Sequence, residues 1–70
     1  MRTDGDFLKL ELIDLRILYI ARSEITRIIF DKKANGYTIF TKADSSGEIF
    51  LETEQPLAYK AIKLYVSLKS

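Results

Sequence analysis

The chain has 70 residues, of which 47% are hydrophobic and 30% charged, and its eleven basic and ten acidic residues leave a formal charge of +1. This length fits one small domain, the apolar fraction is too high for a disordered chain, and the charge is too small to steer a polyanion. Because Cys and His are both absent, disulfides, ordinary zinc sites and mechanisms that need a histidine base or a cysteine nucleophile are excluded.

The small size of the chain also bears on association and location. A core of this size usually gains stability from a disulfide, a metal or a partner subunit. With the first two closed off, we expect a homo-oligomer, with a dimer favoured. The segment Met1–Asp6 lacks the apolar core of a signal peptide, and no apolar run reaches the ~18 residues of a membrane span. We therefore expect a cytoplasmic protein without a membrane span.

Two strands are predicted in the first third of the chain. Residues 7–13 alternate apolar and charged side chains, the pattern of a half-buried strand. Residues 17–21 are apolar without alternation, which predicts a central strand covered on both faces. The apolar residues of this region also fall at helical spacing, so a helix over residues 7–21 stays open as an alternative.

Three further strands are predicted at residues 25–31, 37–42 and 48–53. In the first of these, Ile28 and Phe30 share the face predicted to meet the core. Asn35 and Gly36 tolerate the positive φ of a tight turn, so the third and fourth strands should form a hairpin. In the last strand, Ile49 and Leu51 are predicted to face the core.

The apolar period changes after the last strand, which predicts a helix over about residues 55–68. Thr53 or Glu54 is the expected N-cap, and Pro56 suits the first turn, where its missing N–H costs nothing. A broad apolar face should pack on the sheet; it comprises Leu57, Ala58, Ala61, Ile62, Leu64, Tyr65 and Leu68. The fold class predicted for residues 1–70 is α+β, an antiparallel β-meander of four to five strands followed by one C-terminal α-helix packed on the sheet.

The residues that remain available for chemistry do not favour an enzyme. Glu48, Glu52 and Glu54 form a carboxylate cluster that suggests acid/base catalysis or an oxygen-ligand metal site, but a solvated strand face and a helix start explain them better. Ser45–Gly47 is predicted to form a turn. A nucleophile elbow needs a glycine before the serine and a histidine partner, and this chain has neither. The isolated glycines form no phosphate-binding loop. We expect no catalytic residue, metal or cofactor.

Two surfaces are candidates for binding, and they belong to different function classes. We expect the interface of the homo-oligomer to be a sheet edge or the apolar face of the helix. The strand at 7–13 or the strand at 48–53 is the expected edge. Ile29, Phe40 and Phe50 are the candidate interface residues, because they point away from the predicted core face and something should cover them. Lysines beside an aromatic residue suggest an alternative, an accessory nucleic-acid-binding surface. That surface comprises Lys32, Lys33, Tyr37 and Lys42.

The order of features from Leu18 to Leu64 resembles that of the small bacterial FlbD/SwrD-like flagellar and swarming proteins. The similarity covers about two thirds of the chain and lies in a short strand ending at Ile20, a polar step into the next strand, a Gly-Tyr-Thr-Ile strand at residues 36–39, and a final helix. Ala21 departs from the asparagine of that family. The resemblance implies a non-enzymatic cytoplasmic protein that acts through partners, with no catalytic residues to carry over.

Overall fold

The computed structural model describes residues 7–69, with side chains through Leu68. The segment 1–6, on which the expectation of no signal peptide was based, lies outside the described residues. Within residues 7–69, five strands and one long helix follow each other, with one short 3₁₀ turn. They are β1 (Phe7–Glu11), β2 (Ile17–Ala21), the 3₁₀ turn (Arg22–Glu24), β3 (Ile25–Asp31), β4 (Gly36–Thr41), β5 (Glu48–Leu51) and α1 (Pro56–Lys69).

β1 and β2 form an antiparallel two-stranded sheet, which excludes the alternative of one helix over residues 7–21. Leu8 and Leu10 of β1 are buried against α1, as the alternation in the sequence predicts. The connecting loop closes where the Leu12 amide donates to the Arg16 carbonyl at 2.8 Å. Leu15, at the tip, has a φ of 72° and a side chain that points into solvent.

β2 is not a central strand, which corrects the prediction made from its lack of alternation. β1 is its one ladder partner among the described residues, and its outward-facing side chains, including Ile17, are exposed. The chain leaves this sheet at the 3₁₀ turn, and β3 begins a second sheet. A continuous apolar run is therefore compatible with a two-stranded ribbon whose outer face stays apolar.

β3, β4 and β5 form the second antiparallel sheet, with β4 in the centre. The predicted hairpin is confirmed, and Asn35 has a φ of 57°. Gly36, the other residue expected at positive φ, instead begins β4. The Asp31 carboxylate accepts hydrogen bonds from the Lys33 and Ala34 amides at 3.0 and 3.2 Å. Gly36 has little room for a side chain at the start of β4, because a Cβ there would lie 3.0 Å from the Phe50 carbonyl oxygen and 3.2 Å from the Leu51 Cα.

The helix begins two to three residues after the predicted N-caps, Glu54 and Thr53. Pro56 is the first helical residue, as expected, and the Gln55 carbonyl accepts the amide of Tyr59 at 2.8 Å. The delay arises because the Leu51 carbonyl accepts the amides of Glu54 and Gln55 at 3.2 and 2.7 Å, which forms a tight turn first. The Gln55 side-chain oxygen also accepts the Ile13 amide at 3.0 Å and so ties α1 to the β1–β2 loop.

The core lies between the inner faces of the two sheets and one side of α1. Its buried side chains are Leu8, Leu10, Tyr37, Ile39, Phe50, Ala58, Tyr59, Ile62 and Tyr65. Phe50 is only 2% exposed, so the sequence-based assignment of β5 was inverted: Phe50 faces the core and Ile49 faces outward. The reason is pairing, since Phe50 lies opposite the buried Tyr37 on β4 and therefore shares its face.

Candidate interaction surfaces

The side of the three-stranded sheet that faces away from α1 is apolar. We call it the outer sheet face; its central row consists of Ile29, Thr38 and Ile49, which lie directly opposite one another on β3, β4 and β5. Phe40 on β4 and Leu51 on β5 flank this row on opposite sides, on the same face of the sheet, and both are partly buried. Ile29 and Phe40, two of the three residues predicted to form an interface, therefore share this surface, and Ile49 takes the place that the sequence assigned to Phe50.

The loop between β4 and β5 folds against one end of the outer sheet face. Gly47 has a φ of 84°, and a Cβ at this position would lie 2.8 Å from the Phe40 ring and 2.9 Å from the Thr38 methyl carbon. Only glycine fits this approach without strain. The Arg27 guanidinium lies 4.6 Å from the centroid of the same ring. The Phe40 ring is thus contacted on two sides, by the β4–β5 loop and by Arg27.

Opposite charges lie at the two ends of β3 on this surface. Arg27 and Asp31 both share the face of Ile29, since side chains two residues apart along a strand point the same way. The four-residue separation corresponds to about 13 Å along the strand. The outer sheet face therefore has an apolar centre, a cation at one end and a carboxylate at the other.

The predicted nucleic-acid surface does not form one surface in the structure. Lys32 and Lys33 are exposed in the β3–β4 turn, whereas Lys42 follows the opposite end of β4. The rise per residue of a β-strand puts Lys42 about 20 Å from the turn. Tyr37 is buried in the core, with its ring centroid 4.9 Å from that of Phe30. It offers no ring on which a base could stack.

The carboxylates considered for chemistry have structural partners or lie apart. Glu52 accepts a hydrogen bond from the Asn35 side-chain amide, and the Asn35 side-chain oxygen accepts the Tyr59 hydroxyl at 3.1 Å. This chain of bonds ties the β3–β4 turn to the end of β5 and to α1. Within the described part of the chain, no three Asp or Glu side chains come close enough to hold a metal ion.

A shallow groove of about 280 Å³ runs along β2, next to the end of β4. Glu24, Asp44 and Glu48 border it, while buried core side chains form its floor. The Asp44 carboxylate is already engaged in the adjoining loop, where it accepts the Ser46 amide at 3.2 Å and the Ser46 hydroxyl at 2.7 Å. Residues 45–46 form the turn predicted from the sequence.

Asp14, in the β1–β2 loop, has a perturbed acidity. Slight desolvation would raise the pKa of its carboxyl, but hydrogen bonds from the Arg16 amide and guanidinium outweigh it and lower the pKa below its ordinary value. The Arg16 Nε lies 2.7 Å from the carboxylate. This pair shapes an exposed loop.

The exposed part of α1 includes three leucines that the sequence analysis placed against the sheet. Leu57, Leu64 and Leu68 were assigned to the face that packs on the sheet, yet all three are exposed. The signal was the width of the apolar arc, which is greater than the ~100° that one sheet contact covers. A helix with so wide an arc buries one part of it and leaves the rest in solvent.

The comparisons of this chain with known proteins give no match. No protein-family model matches the chain, and no significant match is found among curated proteins or solved structures. Among the described residues, no helix has the length and apolar content needed to cross a membrane.

Proposed function

We propose that this chain is a non-enzymatic protein-interaction module that self-associates through its outer sheet face. The observation that carries the proposal is the cross-strand row of Ile29, Thr38 and Ile49, which leaves apolar side chains on the side of the sheet without a helix. Burying such side chains against a second copy is favourable by about 25 cal/mol per Å² of apolar surface.

The charges at the ends of β3 favour a second copy as the occupant of this surface. A two-fold axis along the central row would place each Ile29 against its counterpart and reverse the strand direction. Arg27 of one copy would then lie near Asp31 of the other, and the same pairing would occur twice, as an isologous interface requires. The surface is thus complementary to itself in charge, with apolar side chains at its centre.

The size of the surface supports weak association. Three strands ~4.8 Å apart and rows spanning five residues outline about 200 Å² per copy. Even a doubling by surface corrugation leaves this below the ~800 Å² per partner of a stable interface. We therefore expect a dimer in rapid exchange, with a Kd in the high-micromolar range or weaker.

Light scattering across a concentration series, from about 10 μM to 1 mM, tests the proposal. The average mass should rise toward that of a dimer, and Ile29→Ser and Ile49→Ser should each suppress the rise. Ile17→Ser is the matched control, since Ile17 is 46% exposed on the other sheet, against 44% for Ile29 and 50% for Ile49. A mass that stays monomeric throughout, or that responds equally to all three variants, would contradict self-association through this surface.

A charge exchange tests the orientation of the two copies. Arg27→Glu places two carboxylates on each outer sheet face, and Asp31→Lys places two cations there, so each variant alone should associate less than the natural chain. Because Asp31→Lys also removes the acceptor of the Lys33 and Ala34 amides in the turn, circular dichroism must first show that this variant is folded. An equimolar mixture should recover association, because the opposite charges then meet in the heterodimer. If the mixture associates no better than the separate variants, the two-fold arrangement is wrong.

A further inference from the structure

The exposed side of α1 carries a regular row of apolar residues, which we call the leucine stripe. It consists of Leu57, Ala61, Leu64 and Leu68, at successive spacings of four, three and four residues, the spacing of a and d positions in a heptad. Ala61 lies at the border of the stripe, where it is partly buried and packs against the core. The three leucines are 50%, 61% and 73% exposed. Together they present roughly 300 Å² of apolar surface, a patch size that on a monomer often marks a binding site.

The stripe is distinct from the side of α1 that packs in the core. At about 100° per residue, its members fall within a sector of ~60°. The buried residues of the helix centre on a direction ~120° away; they are Ala58, Tyr59, Ile62 and Tyr65. The helix therefore has two apolar sides, and the fold uses one of them. A stripe of three helical turns matches the anchor pattern of helix-in-groove and helix-to-helix recognition.

The charges beside the stripe have one sign. Lys60 and Lys63 are exposed on the same helix, and residues 56–69 contain no Asp or Glu. On the opposite flank, the Arg22 guanidinium lies 4.9 Å from the centroid of the Tyr65 ring. The nearest acidic residue in the sequence, Glu54, precedes the helix.

This charge pattern decides which partner fits. Two copies paired through their stripes would bring lysines together with no carboxylate on either helix to offset them, and such like-charge juxtaposition is destabilising. Two heptads are also fewer than an autonomous coiled coil needs. An amphipathic helix with apolar anchors and flanking carboxylates complements both the stripe and its cations.

We propose that the leucine stripe docks an acidic amphipathic helix of a different protein. The inference goes beyond the proposed self-association, since α1 lies on the opposite side of the three-stranded sheet from the outer sheet face. One chain would thus connect a homotypic contact on the sheet with a heterotypic contact on the helix. Neither contact depends on the other.

The test uses the full chain and a synthetic helical peptide of about three heptads, with leucine at a and d and glutamate at the flanking positions. A matched peptide carries lysine in place of glutamate. Fluorescence anisotropy at low salt should show the acidic peptide binding at least ~10-fold more tightly than the basic one, with the difference shrinking as salt rises. Leu64→Ser should weaken binding of the acidic peptide about 10-fold or more.

Charge reversal separates specific docking from general attraction. Lys60→Glu should weaken binding of the acidic peptide and strengthen binding of the basic one. Lys9→Glu is the matched control, because it makes the same charge change at an exposed position of β1 and should leave both affinities nearly unchanged. Circular dichroism should confirm that each variant is folded.

Three results would overturn the inference. The first is equal affinity for the two peptides, and the second is an acidic-peptide affinity that does not respond to Leu64→Ser. The third is binding to phosphatidylserine vesicles that is lost in Leu64→Ser while the acidic peptide fails to bind, which would assign the stripe to a membrane surface. The light-scattering mass reports on the outer sheet face alone, so failure of one proposal is distinguishable from failure of the other.

Discussion

Replacing Phe50 by leucine separates a core residue from an interface residue. Phe50 is 2% exposed and lies opposite Tyr37 on the central strand, so a smaller side chain leaves a cavity in the folded monomer. A change of this kind costs about 1 to 1.5 kcal/mol, whereas truncation to alanine costs about 3 to 5 kcal/mol. At ~0.05 to 0.15 kcal/mol per residue, the free energy of unfolding of such a chain is itself only about 3.5 to 10 kcal/mol.

The leucine variant is therefore informative where the alanine variant is not. At about 4 to 8 °C per kcal/mol for a domain of this size, Phe50→Leu should lower the Tm by roughly 4 to 12 °C. Thermal unfolding followed by circular dichroism at low protein concentration measures this for the monomer. Phe40→Leu is the control, because Phe40 lies on the outer sheet face and is only partly buried; its Tm should fall by less than half as much.

An interface role for Phe50 requires the reverse pattern. Phe50→Leu would then leave the Tm at low concentration within about 1 °C of the natural chain and would lower the mass at high concentration. That combination would refute the placement of Phe50 in the core and, with it, the register of β5 on β4.

Three further changes test local features of the structure. Gly47→Ala should cost more than about 1 kcal/mol, because the added Cβ meets an aromatic ring and the φ is positive; chemical denaturation measures this, and an unchanged midpoint would contradict the loop conformation. Gln55→Ala should cost about 1 kcal/mol and speed hydrogen exchange at the Ile13 amide, which loses its acceptor; unchanged exchange there would contradict the bond. The Asp14 carboxyl should titrate below its ordinary pKa in NMR, and Arg16→Ala should raise that pKa; since the folded pKa is depressed, the stabilising effect is present above the unfolded pKa and is lost as pH falls through the folded value.

The parts of the fold that the sequence predicts well are those where one local pattern has one structural solution. Asn35 and Gly36 favour a tight turn over other conformations, and Pro56 suits the first turn of a helix. The alternation around Leu8 and Leu10 likewise fixes which side of β1 is buried. In each case a single residue type or period excludes the competing structure.

The errors occur where apolar residues satisfy two solutions. Ile49 and Phe50 are both apolar, so β5 can bury either face, and only its pairing with β4 determines which. The same holds for residues 17–21, whose apolar run fits a central strand or a ribbon with an apolar outer face. Long-range pairing decides such cases, and no local period contains that information.

The binding surfaces follow the same logic. The sequence predicted that Ile29 and Phe40 point away from the core, and the structure places both on the outer sheet face. The sequence also grouped Tyr37 with Lys42 because they are close in the chain. In the structure these two residues lie apart, because Tyr37 is in the core at the start of β4 and Lys42 follows the far end of that strand. Proximity in sequence becomes a shared surface only for residues with the right spacing on the same element.

Association and folding should be coupled in a chain of this size. Without cysteine, no disulfide limits the unfolded ensemble, and the nine apolar residues that are buried within residues 7–68 form a small core. A second copy that binds only the folded form adds RT ln(1 + [L]/Kd), which at ten times the Kd is about 1.4 kcal/mol. That amount is a substantial share of the ~3 to 5 kcal/mol that a core of this size contributes. The outer sheet face would therefore act as a concentration-dependent source of stability, while the leucine stripe stays available to a different partner.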